Sequence, residues 1–96
     1  MLEKVVATAA KQRVNALQRD FVRAINAKDL GAAEYNHQAM LKEVAKIQRI
    51  NPEHNNFDAN AIEIYCQKVA DEAKLAIDAL KKALGIDVEE EETENN

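Results

Sequence analysis

Apolar side chains recur at steps of three and four along three long stretches of the sequence, and this spacing constrains the fold more than any other feature. The three repeats are Val6, Ala10, Val14, Leu17, Phe21 and Ala24; then Leu30, Ala33, His37, Met40, Val44 and Ile47; and then Ile62, Cys66, Val69, Ala73, Ala76, Leu80 and Ala83. Residues with this spacing lie on one face of an α-helix. The sequence therefore predicts three amphipathic helices, over residues 2–28, 30–50 and 58–84, each with a face that must be buried.

The first two helices meet at Asp29, whose side chain can accept a hydrogen bond from the start of a helix. So short a connection favours antiparallel neighbours, as in a helical hairpin. Pro52 disfavours helical geometry at Asn51 and cannot donate a backbone hydrogen bond, so the second helix should end near Ile50. After the loop that follows, we expect the third helix to run parallel to the first.

The start and the end of the third helix each have a signal in the sequence. Asp58 is the predicted N-cap, and Phe57 before it is expected to pack on Ile62 as a hydrophobic staple. Gly85 should end the helix, because glycine readily takes the left-handed conformation that closes helix C-termini.

Several large apolar residues lie beside the three repeats, which makes the apolar faces wider than the two positions per heptad of a simple coiled coil. They are Ile25, Leu41, Ile64, Leu75 and Ile77. A compact bundle fits this pattern better than one long dimeric coil. We therefore predict an all-α protein, an antiparallel up-down-up three-helix bundle made of a long helical hairpin plus a third helix, in one domain over residues 1–87.

The net charge of −4 is unevenly distributed along the chain. Basic residues are concentrated in the first predicted helix, whereas residues 88–96 are rich in glutamate and contain no base. Neighbouring carboxylates repel one another, and this segment has almost no apolar residue to bury. We expect an acidic, disordered C-terminal tail over residues 88–96.

Cys66 is the single cysteine, so no disulfide can form within the chain. No apolar run of signal-peptide length precedes the first charged residues, and we therefore expect a reducing, cytoplasmic location. No stretch approaches the ~20 apolar residues that a membrane-spanning helix needs, because charges interrupt every segment. We expect no association with a membrane.

Residues with metal-binding or catalytic chemistry are few. Glu34 and His37 have the Glu-x-x-His spacing with which helical bundles present two metal ligands on one face, but the sequence contains no second pair of this kind. His37 and Cys66 lie on predicted inner faces, yet two ligands are too few for a structural zinc site. The sequence also lacks a glycine-rich phosphate loop and a serine nucleophile elbow. We predict a structural histidine, an inert buried thiol, no metal, no cofactor and no enzymatic activity.

Lys4, Lys11 and Arg19 fall within one broad sector of the first helix, where basic side chains can contact phosphate groups. We favour the interpretation that these basic residues form a diffuse, solvated face and not a nucleic-acid site. The sequence has no helix-turn-helix type of recognition element, and no aromatic residues are interleaved with the basic residues. The alternative function is a nucleic-acid-associated regulator that binds through this helix, with the acidic tail as an electrostatic gate.

The run Asp-Leu-Gly-Ala-Ala that begins at Asp29, with His37 after it, resembles the start of the second helix in microtubule-interacting and trafficking domains and in tetratricopeptide units. The resemblance covers a helical hairpin. This chain has His37 where those domains often have tyrosine, and Met40 where they have alanine. The former domains are three-helix bundles that bind partner helices in a groove, so the resemblance implies a small module that binds a helix.

The predicted helices differ in length, about 40 Å for the first and third and about 30 Å for the second. In an up-down-up bundle Leu2, Val5 and Val6 would project past the second helix, where Phe57 either covers them or leaves an exposed apolar end. We predict a non-enzymatic protein-protein interaction module, such as an adaptor, an assembly factor or an inhibitor, that acts through a helical groove or this apolar end. The expected partner is a helical protein, and the alanine-rich faces favour self-association as a homodimer.

Overall fold

A computed structural model describes residues 2–86, which form three α-helices and contain no β-strand. The helices are α1 (Leu2–Asn26), α2 (Leu30–Ile50) and α3 (Phe57–Ala83). Each helix packs against the other two, and this confirms the predicted all-α three-helix bundle. The predicted acidic tail and the predicted domain boundary at residue 87 lie outside the described residues.

Side-chain contacts between the helices show their directions. Two contacts join α1 to α3, Lys4 with Asp58 and Asn15 with Tyr65, and two join α2 to α3, Glu34 with Lys81 and Gln48 with Glu63. Residue numbers rise together in the first two contacts, so α1 and α3 are parallel. In the other two contacts one number rises as the other falls, so α2 is antiparallel to α3 and the topology is up-down-up.

The turn between α1 and α2 is closed by backbone hydrogen bonds around Lys28, which has a left-handed φ of 58°. The Lys28 N–H donates to the carbonyl of Ile25, and the Asp29 N–H donates to the carbonyl of Ala24. This is the Schellman pattern, here with lysine where glycine is usual. It ends α1 two residues before the predicted boundary. The Asp29 side chain accepts from the Ala32 N–H at 3.1 Å, so the predicted N-cap of α2 is confirmed.

The loop between α2 and α3 is held by asparagine side chains. Asn51 is buried, donates to Asn60 Oδ1 at 2.8 Å and accepts from the Asn56 N–H at 3.2 Å. Asn56, fixed in this way with an extended backbone, accepts from the Ala59 N–H at 2.9 Å and is the N-cap of α3. The prediction that Asp58 caps this helix was therefore wrong, because α3 begins one residue earlier and Asp58 lies in its first turn.

Gly85 ends α3 as predicted, with a left-handed φ of 78°. Its N–H donates to the carbonyl of Lys82, and the Ile86 N–H donates to the carbonyl of Lys81 at 2.7 Å, which again is the Schellman pattern. The last helical residue is Ala83, one residue before the predicted end.

Small side chains make up much of the core, so the helix backbones can approach closely. The buried apolar residues are Ala7, Ala10, Val14, Phe21, Ala24, Ala33, Met40, Val44, Ile47, Ala59, Cys66, Val69, Ala70, Ala73, Ile77 and Leu80. The predicted repeats supply most of them. The members of the repeats that are only half-buried are Val6, Leu17, Leu30, Ile62 and Ala76, and Ala83 is exposed where α3 ends.

Candidate protein-interaction surface

Large apolar side chains are exposed where the N-termini of α1 and α3 lie side by side. Leu2 and Val5 of α1 are 67% and 65% exposed, and Phe57 of α3 is 82% exposed. Val6 is half-buried beside them. We call these four residues the apolar end.

The length of α1 places the apolar end beyond α2. Arg13 Nε donates to Glu43 Oε1 at 2.8 Å, which fixes the register of the two helices. Leu2 lies 11 residues before Arg13, whereas Ile50, the last residue of α2, lies only 7 residues after Glu43. The first turn of α1 therefore extends about 6 Å past the end of α2. This is the projection that the unequal helix lengths predicted.

Phe57 is almost fully exposed, so the predicted packing of Phe57 on Ile62 was wrong. Of the two alternatives for the start of α1, the structure has the one in which Phe57 leaves it exposed. Phe57 is the first residue of α3, and five helical residues turn a side chain by about 140°. Its ring therefore points away from the inner face on which Ile62 lies. Lys4 Nζ is 3.7 Å from Asp58 Oδ2, and this exposed contact joins the two helix ends.

The three basic residues proposed for nucleic-acid binding are separated in the structure. Lys4 contacts Asp58, and Lys11 Nζ lies 4.9 Å from the centre of the Tyr65 ring. Arg19 is exposed about 12 Å further along α1 than Lys11. Two of the three cations therefore already hold contacts with α3.

His37 lies in a groove of about 340 Å³ between α2 and α3. Glu34, which has the Glu-x-x-His spacing with His37, contacts Lys81, with 3.3 Å between Oε2 and Nζ. Burial and the nearby charge of Lys74 lower the pKa of His37 below its ordinary value of 6.5, although Asp71, Asp78 and Glu34 act in the opposite direction. His37 is therefore a buried, neutral side chain near neutral pH.

Cys66 is fully buried in α3, and burial raises the pKa of its thiol to about 11. The thiolate needed for nucleophilic or metal chemistry is disfavoured at that value. The charges nearest Cys66 are those of Lys11, Glu43 and Glu63, which differ from those around His37. The thiol and the imidazole therefore occupy separate environments.

Glu43 is a nearly buried acid, and in the sequence it lies beside the apolar repeat of α2. Its carboxylate accepts from Arg13 at 2.8 Å and from Lys46 at 3.0 Å. Burial alone would raise the pKa of Glu43, but the hydrogen bonds and the positive charges of Arg13 and Lys46 together outweigh burial, and the pKa lies below its ordinary value of 4.5. The pairing of Glu43 with a base thirty positions away had no signal in the local sequence.

A second row of residues, which includes large apolar side chains, runs along the face of α3 that α1 and α2 leave uncovered, and we call it the outer stripe. Its exposed members are Phe57, Ala61, Ile64, Lys68, Asp71, Leu75 and Lys82, at steps of four, three or seven residues. Ile64 and Leu75 are 71% and 68% exposed. The sequence pattern suggested that both residues widen the apolar face that packs in the core, but in the structure both are exposed to solvent.

Across residues 2–86, no group of three or more His, Cys, Asp or Glu side chains is arranged to hold a metal ion. Every helix in the same range is too short or too polar to cross a lipid bilayer. Comparison of the chain with protein-family models, with curated proteins and with solved structures finds no match.

Proposed function

We propose that the chain is a non-enzymatic protein-protein interaction module, an adaptor, assembly factor or inhibitor, and that it binds a helical segment of a protein partner at the apolar end. The observation that carries this proposal is the exposure of Leu2, Val5 and Phe57 on two helices at the same end of the bundle. Large apolar side chains that stay exposed together at one end of a small bundle are a candidate binding site.

The energetics of burial support a binding role for these side chains. Covering one large apolar side chain stabilises a complex by about 1.5–3 kcal/mol relative to leaving it in water. Three such side chains supply several kcal/mol before the costs of association are subtracted. None of them contributes comparably to the stability of the isolated bundle, because each remains mostly exposed.

The geometry favours a helical partner. Leu2 and Val5 are three residues apart and lie on adjacent parts of the surface of α1, while Phe57 adds a ring from α3. The first turn of α1 has no α2 residue beside it, so a partner helix can lie next to it. An amphipathic helix that places its apolar side chains at similar intervals would cover both α1 and α3 at this end.

The nucleic-acid alternative has no specific observation in its favour. Lys4 and Lys11 are held by contacts with α3, and a phosphate would have to compete with those contacts. Binding to duplex and single-stranded nucleic acid in low salt, with and without residues 88–96, tests this alternative directly.

Site-specific photocrosslinking in cells of the native host tests the proposed function. A benzoylphenylalanine at position 57 would report a protein bound to the apolar end. The same group at position 35 is the matched control, because Tyr35 is 74% exposed but lies about 22 Å from the end of α2. We expect position 57, and not position 35, to crosslink to a different protein, and we expect Val5→Lys to abolish that product.

Three results would contradict the proposal. One is the same set of products from positions 57 and 35, which would indicate random encounters. The second is a product from position 57 that contains only two copies of this chain, and the third is a product that persists unchanged in the Val5→Lys variant.

A further inference from the structure

The outer stripe lies opposite the bundle core on α3. Residues that are buried against α1 and α2, such as Cys66, Ala73 and Ile77, are about half a turn of the helix away from Ile64 and Leu75. No residue of α1 or α2 covers the outer stripe, since all of its members are exposed. The stripe has the alternating four-and-three spacing of a coiled-coil seam, which is the spacing that packs one helix against another.

Charged residues occupy the middle of the outer stripe, and they restrict which helix can lie on it. Lys68 and Asp71 are adjacent positions in the seam, with Ile64 before them and Leu75 after them. Asp71 accepts a hydrogen bond from Gln67 at 2.9 Å, and a carboxylate has capacity for further donors. A partner helix must therefore offer an acid opposite Lys68, a base opposite Asp71 and apolar side chains on either side.

A second copy of the outer stripe meets these requirements when its α3 helix runs in the opposite direction. We propose that a second copy of this chain docks on the outer stripe, with the two α3 helices antiparallel and a two-fold axis between Val69 and Ala70. Ile64 of each copy then lies opposite Leu75 of the other, and Lys68 of each lies opposite Asp71 of the other. A two-fold interface requires this kind of self-complementarity, in which each contact occurs twice.

Charge selects both the direction and the register of this pairing. In a parallel dimer in register, Lys68 would face Lys68 and Asp71 would face Asp71, and like charges at such positions oppose association. In the antiparallel arrangement, a shift of one heptad either way would place Lys68 opposite Ile64 or Asp71 opposite Leu75. Only the proposed register gives both charges an opposite charge and both large apolar residues an apolar neighbour.

The ends of the stripe are compatible with the same arrangement. Ala61 of one copy lies opposite Asp78 of the other, whose half-buried carboxylate accepts from Lys74 of its own helix, and the small side chain of Ala61 allows the helices to approach. Phe57 lies opposite the aliphatic stem of Lys82. The seam between residues 57 and 82 is about 38 Å long. A single helix face covers less than the ~800 Å² per partner of a standard interface, so we expect a weak dimer that forms at high concentration.

The proposed dimer deepens the expectation of self-association and uses a surface that shares only Phe57 with the apolar end. The tests therefore use Ile64, Lys68, Asp71 and Leu75, which lie further along α3. Photocrosslinking from position 57 to a different protein should survive these substitutions. Failure of the dimer and failure of the proposed function are therefore distinguishable.

Sedimentation equilibrium of the full chain, up to about 1 mM, measures the association. We expect a monomer-dimer equilibrium, and we expect Ile64→Lys to weaken it at least tenfold by placing a charge against Leu75. Tyr35→Lys is the matched control, since Tyr35 is equally exposed but lies on α2 outside the stripe. A chain that stays monomeric at the highest concentration, or an equal effect of the two substitutions, would overturn the proposal.

A charge exchange tests the pairing of Lys68 with Asp71. Lys68→Asp alone puts two acids opposite each other, and Asp71→Lys alone puts two bases opposite each other, so each should weaken the dimer several-fold. The double variant restores opposite charges and should recover most of the wild-type affinity. Both positions are exposed, so these variants are expected to fold, and circular dichroism verifies it. Double-variant affinity no better than that of the single variants would contradict the register.

Disulfide trapping tests the direction of the helices. In a Cys66→Ala background, one chain carries Ile64→Cys and another carries Leu75→Cys. We expect a disulfide to form rapidly in the mixture and slowly in either chain alone, because residues 64 of the two copies are about 17 Å apart along the antiparallel seam. Equally fast trapping of the Ile64→Cys chain by itself would show a parallel pairing and overturn the proposal.

Discussion

The inner face of α3, which packs against α1 and α2, carries mostly small side chains, whereas its outer face carries three of the largest apolar ones. Ala59, Cys66, Ala70 and Ala73 are among the buried residues of the inner face. Phe57, Ile64 and Leu75 are exposed on the outer face. The size of an apolar side chain therefore does not decide which face of this helix becomes the core.

Continuity of the apolar surface distinguishes the two faces. The inner face has an unbroken row of uncharged residues from Ala59 to Leu80, so two helices can cover it without burying a charge. The outer face is interrupted by Lys68 and Asp71, and burying either one inside a single bundle without a partner would be costly. The uninterrupted face therefore forms the core, and the interrupted face remains available for another chain.

Truncation of one large side chain on each face of α3 should give the largest difference in the free energy of unfolding. Ile77→Ala removes a buried side chain and should lower the free energy of unfolding by about 2–5 kcal/mol, because a cavity remains. Leu75→Ala removes an exposed side chain and should change it by about 0.5 kcal/mol or less. Urea denaturation of dilute protein, where the proposed weak dimer would dissociate, measures both. Similar losses for the two variants would mean that the outer face is buried in solution even at low concentration.

Replacing one alanine by leucine on each face of α3 should give a smaller difference in stability. Ala70→Leu adds bulk at a position with no exposed surface and should cost about 1–3 kcal/mol through overpacking. Ala79→Leu adds the same bulk on the exposed face and should leave the stability of the monomer nearly unchanged. Thermal unfolding followed by circular dichroism gives both values. Tolerance of leucine at position 70 would show that the close approach of the helices is not needed.

The smallest expected effect concerns His37, which faces α3 from α2 and is a polar exception in the core. Since the pKa of His37 in the fold is lowered from 6.5, the unfolded chain binds the proton more readily as the pH falls. The wild-type chain should therefore lose stability as the pH falls from about 6.5 toward the lower pKa in the fold. His37→Leu should remove this loss and keep or raise the stability at neutral pH.

Unfolding of the wild type and of His37→Leu between about pH 7.5 and 5.5 isolates the contribution of His37 to the pH dependence of stability. The pKa of Glu43 lies below its ordinary value of 4.5, outside this range. A pH dependence that is the same in both chains would assign it to other groups. Loss of folding in the His37→Leu chain would mean that the imidazole makes a contact the bundle requires.

Much of the fold could be predicted because its signals are local. Helix periodicity, Asp29 as a cap, Pro52 after α2 and Gly85 after α3 all act within a few residues of their position. The N-cap of α3 could not be chosen in the same way, since Asn56 and Asp58 are both good caps. The hydrogen bonds of Asn51, which joins the end of α2 to the start of α3, select Asn56.

The candidate site was predicted in part. The unequal helix lengths indicated that Leu2 and Val5 would project past α2, because length follows from residue count. The direction of the Phe57 side chain depended on the residue at which α3 starts. A shift of one residue along a helix rotates the side-chain direction by about 100°. Glu43 and its partner Arg13 were missed, since nothing in either local sequence indicates a contact between two helices.

By itself, the order of the amino acids determined that three helices form, where they break, and that each has an apolar face. Only tertiary packing decided which of the two rows of α3 is covered, whether Asn56 or Asp58 caps that helix, and which side chains remain exposed at the end of the bundle. The physical reason is range. Helix periodicity and capping depend on neighbours within one or two turns. Burial depends on whether distant helices can cover a surface without burying a charge that has no partner.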